Sequence, residues 1–227
     1  LEQITRCIFM KEDDYILDYK DDDGQSVEPV YYAPIIPMVL VNGTKGIGTG
    51  FSTDILCYNP SDIISAIKNK IKTDGVGDSF EWPIFEPYYH GFNGTIQKQT
   101  DTKYLIKGCY NRINETKVRV TELPVGYWTD DFKQHLENLI DVKGKKGDAK
   151  QKQPTQYVKE NSDMSTDVTV DFTITFVGTT LADLEKETYD NGSYNGVDKI
   201  LKLYNFQNTS NMNLFDPNDK LKKYATV

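Results

Sequence analysis

The run Pro34-Ile35-Ile36-Pro37-Met38-Val39-Leu40-Val41-Asn42-Gly43-Thr44-Lys45-Gly46-Ile47-Gly48-Thr49-Gly50-Phe51-Ser52 restricts what this chain can build more than any other stretch. Pro34 and Pro37 each remove a backbone donor and fix φ, so Val30 to Leu40 is too interrupted for a helix and is expected as short extended pieces. Four glycines, at 43, 46, 48 and 50, then surround one isoleucine. Glycine suits a backbone that bends sharply or lies against another surface, which leaves the stiff, β-branched Ile47 unexplained. Two accounts stay open: a tight turn with Ile47 directed into the core, or an apolar wedge offered to a partner.

Glycine loops also bind phosphate, and spacing decides whether this one can. A G-x-G-x-x-G fingerprint counted from Gly46 and Gly48 ends on Phe51, and a P-loop counted from Gly43 reaches Gly48-Thr49 without the required lysine. Both patterns fail. Gly43-Thr44-Lys45-Gly46 matches the GXXG of a KH module, but the proline-rich run before it denies the flanking helix. The wedge has a physical basis, because proteins that bend DNA insert Ile, Leu, Phe or Met between base steps and offset the unstacking with added contact. Flanking glycines would let the backbone press into the minor groove, and Lys45 could meet a phosphate beside it.

Composition sets the outer limits. At 227 residues the chain can bury a real core as one large domain or two small ones. Its longest apolar runs, such as Ala33 to Val41, fall far short of the roughly 20 residues of a bilayer span, so no membrane partner is expected. The start, Leu1-Glu2-Gln3-Ile4-Thr5-Arg6, has neither initiator methionine nor signal pattern and is expected to be the edge of an excised fragment. Cys7, Cys57 and Cys109 are widely spaced, so they are expected as reduced, mostly buried thiols and not as a zinc site. A net charge of −8 argues against a free-standing nucleic-acid binder, so any DNA contact must be local. The acidic runs Glu12-Asp13-Asp14 and Asp21-Asp22-Asp23, and the lysines at 143, 145, 146, 150 and 152, are expected in solvated loops.

Periodicity points to an α+β fold, an antiparallel sheet with packed helices. Asn59-Pro60-Ser61-Asp62 begins a helix, capped by Ser61 or Asn59, with Ile63, Ile64, Ile67 and Ile71 on its inner face. After an Asn93-Gly94 turn, Thr95 to Gln99, Lys103 to Ile113 and Thr116 to Leu123 form an antiparallel meander. Thr129-Asp130-Asp131 caps a second helix, which carries Phe132, Leu136, Leu139 and Ile140. Val142 to Pro154 is a flexible loop by composition. Asp167 to Val177 is a half-buried strand through Val168, Val170, Phe172, Ile174 and Phe176, followed by helices at Thr180 to Thr188 and Asp198 to Leu203. Trp82, beside Pro83, and Trp128 are expected to fill corners, and His90 and His135 as packed or surface residues.

Several segments together resemble one family. Val27-Glu28-Pro29 with Tyr32, the Pro34 to Gly43 run, Gly46-Ile47-Gly48-Thr49-Gly50-Phe51-Ser52, and Phe92 with Gly94-Thr95-Ile96 are similar to the eukaryotic and viral branch of type IIA DNA topoisomerases. So are Glu122-Leu123-Pro124-Val125 with Trp128-Thr129, Asn211-Met212 with Leu214-Phe215-Asp216, and Leu221-Lys222-Lys223-Tyr224. Arg6 and Asp13-Asp14 match near the start. Met10 and Lys11 replace the family's paired prolines, and Gly126 replaces a usual basic residue.

The resemblance implies the end of the winged-helix domain and an acidic linker over 1–26, and a tower domain over 27–227 leading toward a coiled-coil exit gate. It places the DNA-bending wedge on Ile47 and makes Asn42, Lys45 and Thr49 neighbours of the DNA backbone. The catalytic tyrosine is expected just upstream of Leu1, so no catalytic or metal residue is expected within the chain. The parent enzyme would be a homodimer acting on double-stranded DNA by ATP-dependent strand passage, relaxing and decatenating it with Mg2+ and ATP as cofactors bound outside this segment. It would work in the nucleus, or in the host cytoplasm or viral factory for a virus. Two other functions stay open: a non-catalytic interaction module, and a nucleotide-binding enzyme using the glycine loop.

Overall fold

The computed structural model describes residues 2–73, 80–141, 155–216, 218 and 220–227. The chain forms two compact units, the first from residues 1–89 with 209–227 and the second from residues 90–208. The architecture is α+β with several small antiparallel sheets.

The first unit begins with a short helix α1 (Thr5–Ile8) and a 3-10 turn at Lys11–Tyr15. The acidic run at 21–23 is part of a hairpin and not the expected loop. Strands β1 (Tyr19–Asp22) and β2 (Gln25–Pro29) pair across Asp23 and Gly24, both with positive φ, the two-residue turn whose twist suits paired strands. The proline-punctuated run also differs from expectation. Pro37 stands immediately before a short helix α2 (Met38–Asn42), because a proline at a helix entrance lacks only a donor that would go unpaired there. Strands β3 (Thr44–Ile47) and β4 (Ser52–Ile55) follow, then α3 (Pro60–Thr73), whose start is capped as expected by Asn59 accepting from the Ser61 N–H at 2.9 Å. Ile63 and Ala66 are buried and Ile67 packs against the same cluster, whereas Ile71 is exposed at the final turn. Leu56, Tyr58 and Ile63 form the centre of this small core, with Leu40, Val41 and Phe85 against it.

The second unit opens with β5 (Thr95–Lys98), β6 (Lys103–Lys107), β7 (Cys109–Arg112) and β8 (Lys117–Glu122). The expected meander is divided. Lys103 to Ile113 is two strands in two sheets, broken at Gly108, where an added Cβ would fall on the Glu122 carbonyl well inside van der Waals contact. Helix α4 (Thr129–Ile140) follows with Trp128 at its N-cap and no side-chain cap bond, so Asp130 and Asp131 act through the charge of the first turn. Strands β9 (Val158–Asp163) and β10 (Phe172–Phe176), helix α5 (Thr180–Lys186), the short pair β11 (Thr188–Tyr189) and β12 (Tyr194–Asn195), α6 (Gly196–Ile200) and β13 (Tyr204–Asn208) complete the unit. One sheet has the order β7-β8-β10-β9 and the other β13-β6-β5.

The strand expected from Asp167 is shorter than its alternation implies. Thr166 and Thr169 close a turn, and Val168 is 90% exposed on it. The core lies on β8, β10, α4, α5 and α6, where Phe132 meets Phe172 edge-on at 5.0 Å and Leu136, Ile174, Leu181, Val197 and Leu201 close around them. Trp128 is 74% exposed and Trp82 is also exposed, so neither fills a corner. His135 is packed, its Nε2 2.7 Å from the Ile200 carbonyl. The last segment, in the first unit, forms the hairpin β14 (Met212–Phe215) and β15 (Leu221–Tyr224). The lysine-rich loop at 142–154 lies outside the described residues.

Two outcomes follow from this packing. Gly108→Ala is expected to lower stability by about 2 kcal/mol or more, since the new methyl must displace backbone, and urea unfolding of the chain measures it. Burial holds His135 below its ordinary value of 6.5, so the neutral ring is favoured in the fold. Its contribution is therefore present above pH 6.5 and is lost as pH falls through the lowered folded value. His135→Gln, which keeps a donor for the Ile200 carbonyl, should flatten that acid limb in melting curves.

Candidate nucleic-acid interface

The glycine-rich stretch is a β-hairpin. Lys45 pairs with Asp54 and Ile47 with Ser52, and the Gly48 N–H donates to the Phe51 carbonyl at 2.8 Å to close the tip. Ile47 is 94% exposed, which removes the core account of this residue. It stands on the last strand position before the turn, on the same strand face as Lys45 by alternation.

The four glycines have separable reasons. Gly43 has φ +64, and a Cβ there would meet the Ile55 carbonyl at 2.7 Å, so it lets the end of α2 pass close to β4. Gly48 leaves room for the Phe51 ring, which an added Cβ would meet at 2.9 Å, and Gly50 has φ +86 in the turn. Gly46 differs from these three. Its φ is ordinary and an added Cβ would meet nothing within 4 Å, so the chain itself does not require glycine at that position.

The base of the hairpin is a packing surface. Cys57 donates its Sγ–H to the Asn42 carbonyl at 3.2 Å, and burial raises the thiol above its ordinary range. Burial, with Cys57 and Asp54 nearby, pushes the Tyr89 phenol up to about 12. Both groups stay protonated and offer no nucleophile at neutral pH. All three cysteines are free; Cys7 is exposed and the other two half-buried, so they are less buried than expected.

The structure brings Lys45, Ile47 and Thr49 together on one hairpin, all exposed, with Asn42 exposed at its foot. Lys45 is not free in this arrangement: its Nζ lies 3.1 Å from the Asp54 carboxylate. Such an exposed pair is worth at most about 1 kcal/mol, so a phosphate can compete for the ammonium. Arg6 is likewise paired, with Nη1 3.0 Å from Asp14 Oδ2, joining two positions that the sequence resemblance matched separately. Among the described residues no group of three or more His, Cys, Asp or Glu side chains could hold a metal ion, and no helix is long and apolar enough to cross a membrane.

Sequence reasoning missed the residues that hold the hairpin. Asn211 Nδ2 donates to Ser52 Oγ at 2.9 Å, Asn213 Nδ2 donates to the Ser52 carbonyl at 2.7 Å, and the Asp54 N–H donates to the Asn211 carbonyl at 2.8 Å. Phe215 meets Phe51 edge-on at 6.1 Å. Asn211 and Phe215 lie in segments that carried the family resemblance, but nothing local to either showed what it touches.

The family model for the DNA gyrase/topoisomerase IV A subunit matches residues 1–227. The chain belongs to that family. It is 37% identical to DNA topoisomerase 2 of Arabidopsis thaliana over 230 residues, covering 100% of this chain and 14% of that protein. It is 32% identical over 274 residues to DNA topoisomerase 2 of Acanthamoeba polyphaga mimivirus, covering 100% of this chain and 21% of that one. The crystal structure of the Plasmodium falciparum topoisomerase II DNA-binding, cleavage and re-ligation domain superposes with a TM-score of 0.83 at 37% identity, over 98% of this chain and 27% of that one. The type IIA segment thus spans a small part of the proteins it matches.

The glycine assignments predict a clear contrast. Gly43→Ala should destabilise the chain by about 1 to 3 kcal/mol, because alanine is strained at that φ and meets backbone. Gly46→Ala should stay within about 0.5 kcal/mol of wild type. Thermal unfolding of both variants measures the difference, and equal losses would show that Gly46 has a structural role inside the chain.

Proposed function

We propose that this segment binds and bends the duplex cut by a type IIA topoisomerase, with Ile47 wedged between base steps. The observation that carries this reading is Ile47 itself, a β-branched apolar side chain 94% exposed at the tip of a closed hairpin. A soluble surface leaves single apolar residues exposed without consequence, but here a glycine with no intramolecular cause stands immediately before it. Gly46 lets the strand backbone lie close against a groove wall while Ile47, stiff at χ1, keeps its direction. Thr49 and Asn42 then face the flanking backbone, and Lys45 exchanges Asp54 for a phosphate.

Magnitudes show that the wedge cannot act alone. Burying an isoleucine contributes about 1.5 to 3 kcal/mol, while bending a short duplex costs on the order of 1 to 6 kcal/mol before any unstacking. The remainder must come from contacts elsewhere in the parent enzyme, consistent with a segment of net charge −8. In that enzyme, the winged-helix end over 1–26 and the tower over 27–227 would connect a catalytic tyrosine upstream to an exit gate downstream. Double-strand passage would be driven by ATP and cleavage supported by Mg2+, both bound outside this chain. The active form would be a homodimer, in the nucleus of a cellular source or the cytoplasmic factory of a viral one.

The nucleotide-binding alternative lacks its central element. Phosphate loops deliver their amides to a helix N-terminus, whereas here Gly46, Gly48 and Gly50 lie within or between two strands, Gly43 ends α2, and α3 begins only at Pro60. A protein-contact module would use the same exposed tip, and the same variant separates it from a DNA wedge. In the full-length enzyme, Ile47→Ala should reduce the bent population of a doubly labelled duplex roughly tenfold, equivalent to about 1.4 kcal/mol, and lower cleavage in parallel. The unfolding midpoint should not move, since the side chain is in water. An unchanged end-to-end fluorescence distance would sink the wedge.

A further inference from the structure

A two-stranded hairpin of four-residue strands is marginal in water and cannot resist a lateral load by its own ladder. Driving a side chain into stacked bases applies such a load to Ile47. The position directly opposite Ile47 in the ladder is Ser52. That residue is gripped from outside the hairpin on both its side chain and its carbonyl, by residues about 160 positions away. Asn213 Nδ2 donates to the Ser52 carbonyl at 2.7 Å and to Asn211 Oδ1 at 3.0 Å, while Asn211 Nδ2 donates to Ser52 Oγ at 2.9 Å. The backbone repeats the attachment: the Asn213 N–H donates to Thr53 Oγ1 at 3.3 Å and the Asp54 N–H to the Asn211 carbonyl at 2.8 Å. Phe215 closes on Phe51 beside the tip, and Met212, between the two asparagines, is buried as their anchor.

We propose that Asn213, acting with Asn211, is a positioning residue for DNA bending, and that the β14–β15 hairpin is the strut that keeps Ile47 aimed into the duplex. The inference rests on the wedge function of Ile47. Asn213 touches no DNA in this scheme. It transmits the reaction force from the tip through the Ser52 carbonyl into the paired strands behind it. The side-chain amide is the part that matters, because a carboxylate of the same shape would repel the carbonyl it must hold.

A double-mutant cycle in the full-length enzyme tests this, read by fluorescence transfer across a labelled duplex with unfolding midpoints as a control. Asn213→Ala and Asn213→Asp should each lower the bent population roughly three- to tenfold, the loss expected for one or two such bonds, and broaden the distribution of bend angles. Adding either to Ile47→Ala should cause no further loss. Ser52→Ala, which removes only the Asn211 bond to the hydroxyl, is the second variant if Asn213→Ala does not fold; it should show a smaller loss with the same dependence on Ile47. An Asn213→Ala or Ser52→Ala enzyme that bends normally while Ile47→Ala does not would overturn the strut and leave the wedge standing. Equal losses with and without Ile47 would also overturn it. If Ile47→Ala itself bends DNA normally, the wedge fails and the strut fails with it.

Discussion

An apolar side chain held out in water cannot be fixed by packing, so its direction depends on hydrogen bonds made behind it. Here those bonds converge on Ser52, the ladder partner of Ile47, and come from Asn211 and Asn213 near the far end of the sequence. Both asparagines are half-buried, where a donated amide bond is worth more than at an open surface and where losing it strands a polar group. Gly43 belongs to the same logic, since its missing side chain lets α2 pass the Ile55 carbonyl closely enough for Cys57 to bond to Asn42.

The second unit solves a different problem. Gly108 interrupts the segment expected as one strand and sends its halves into two sheets, and the Gly108 N–H bonds to the Leu203 carbonyl as it does so. The larger core, built on Phe132, Phe172 and Phe176, can then be covered from one side by α4 and from the chain's later helices by Leu181 and Val197. Edge-on aromatic contact between Phe132 and Phe172 fixes that arrangement geometrically as well as by buried area.

Charge behaves as a local quantity throughout. Lys45, Arg6, Arg112, Arg119 and Lys133 all engage carboxylates of the same chain, and the net balance is acidic. In the proposed reading, a duplex reaching the hairpin would exchange its phosphate into the weak exposed Lys45–Asp54 pair, so shape and an apolar contact would count for more there than long-range attraction.

Much of this was present in the sequence, because it depends on residues close together along the chain. The α+β class, the Asn59-capped helix, the helix at Thr129 and the exclusion of two phosphate loops all follow from spacing, and family membership followed from motifs spread over the whole length. The polar edge strand Val158–Asp163 has no apolar alternation to mark it, and the alternation over 167–177 runs past the strand because Val168 keeps the period but sits on a turn. The fate of Ile47 was the clearest case. Its neighbours permitted both a buried turn and an exposed wedge, since glycine serves sharp turns and close approaches alike. Only the tertiary structure decided between them: Ile47 is exposed on a closed hairpin whose opposite position, Ser52, is held by Asn211 and Asn213, and no local rule relates residues so far apart.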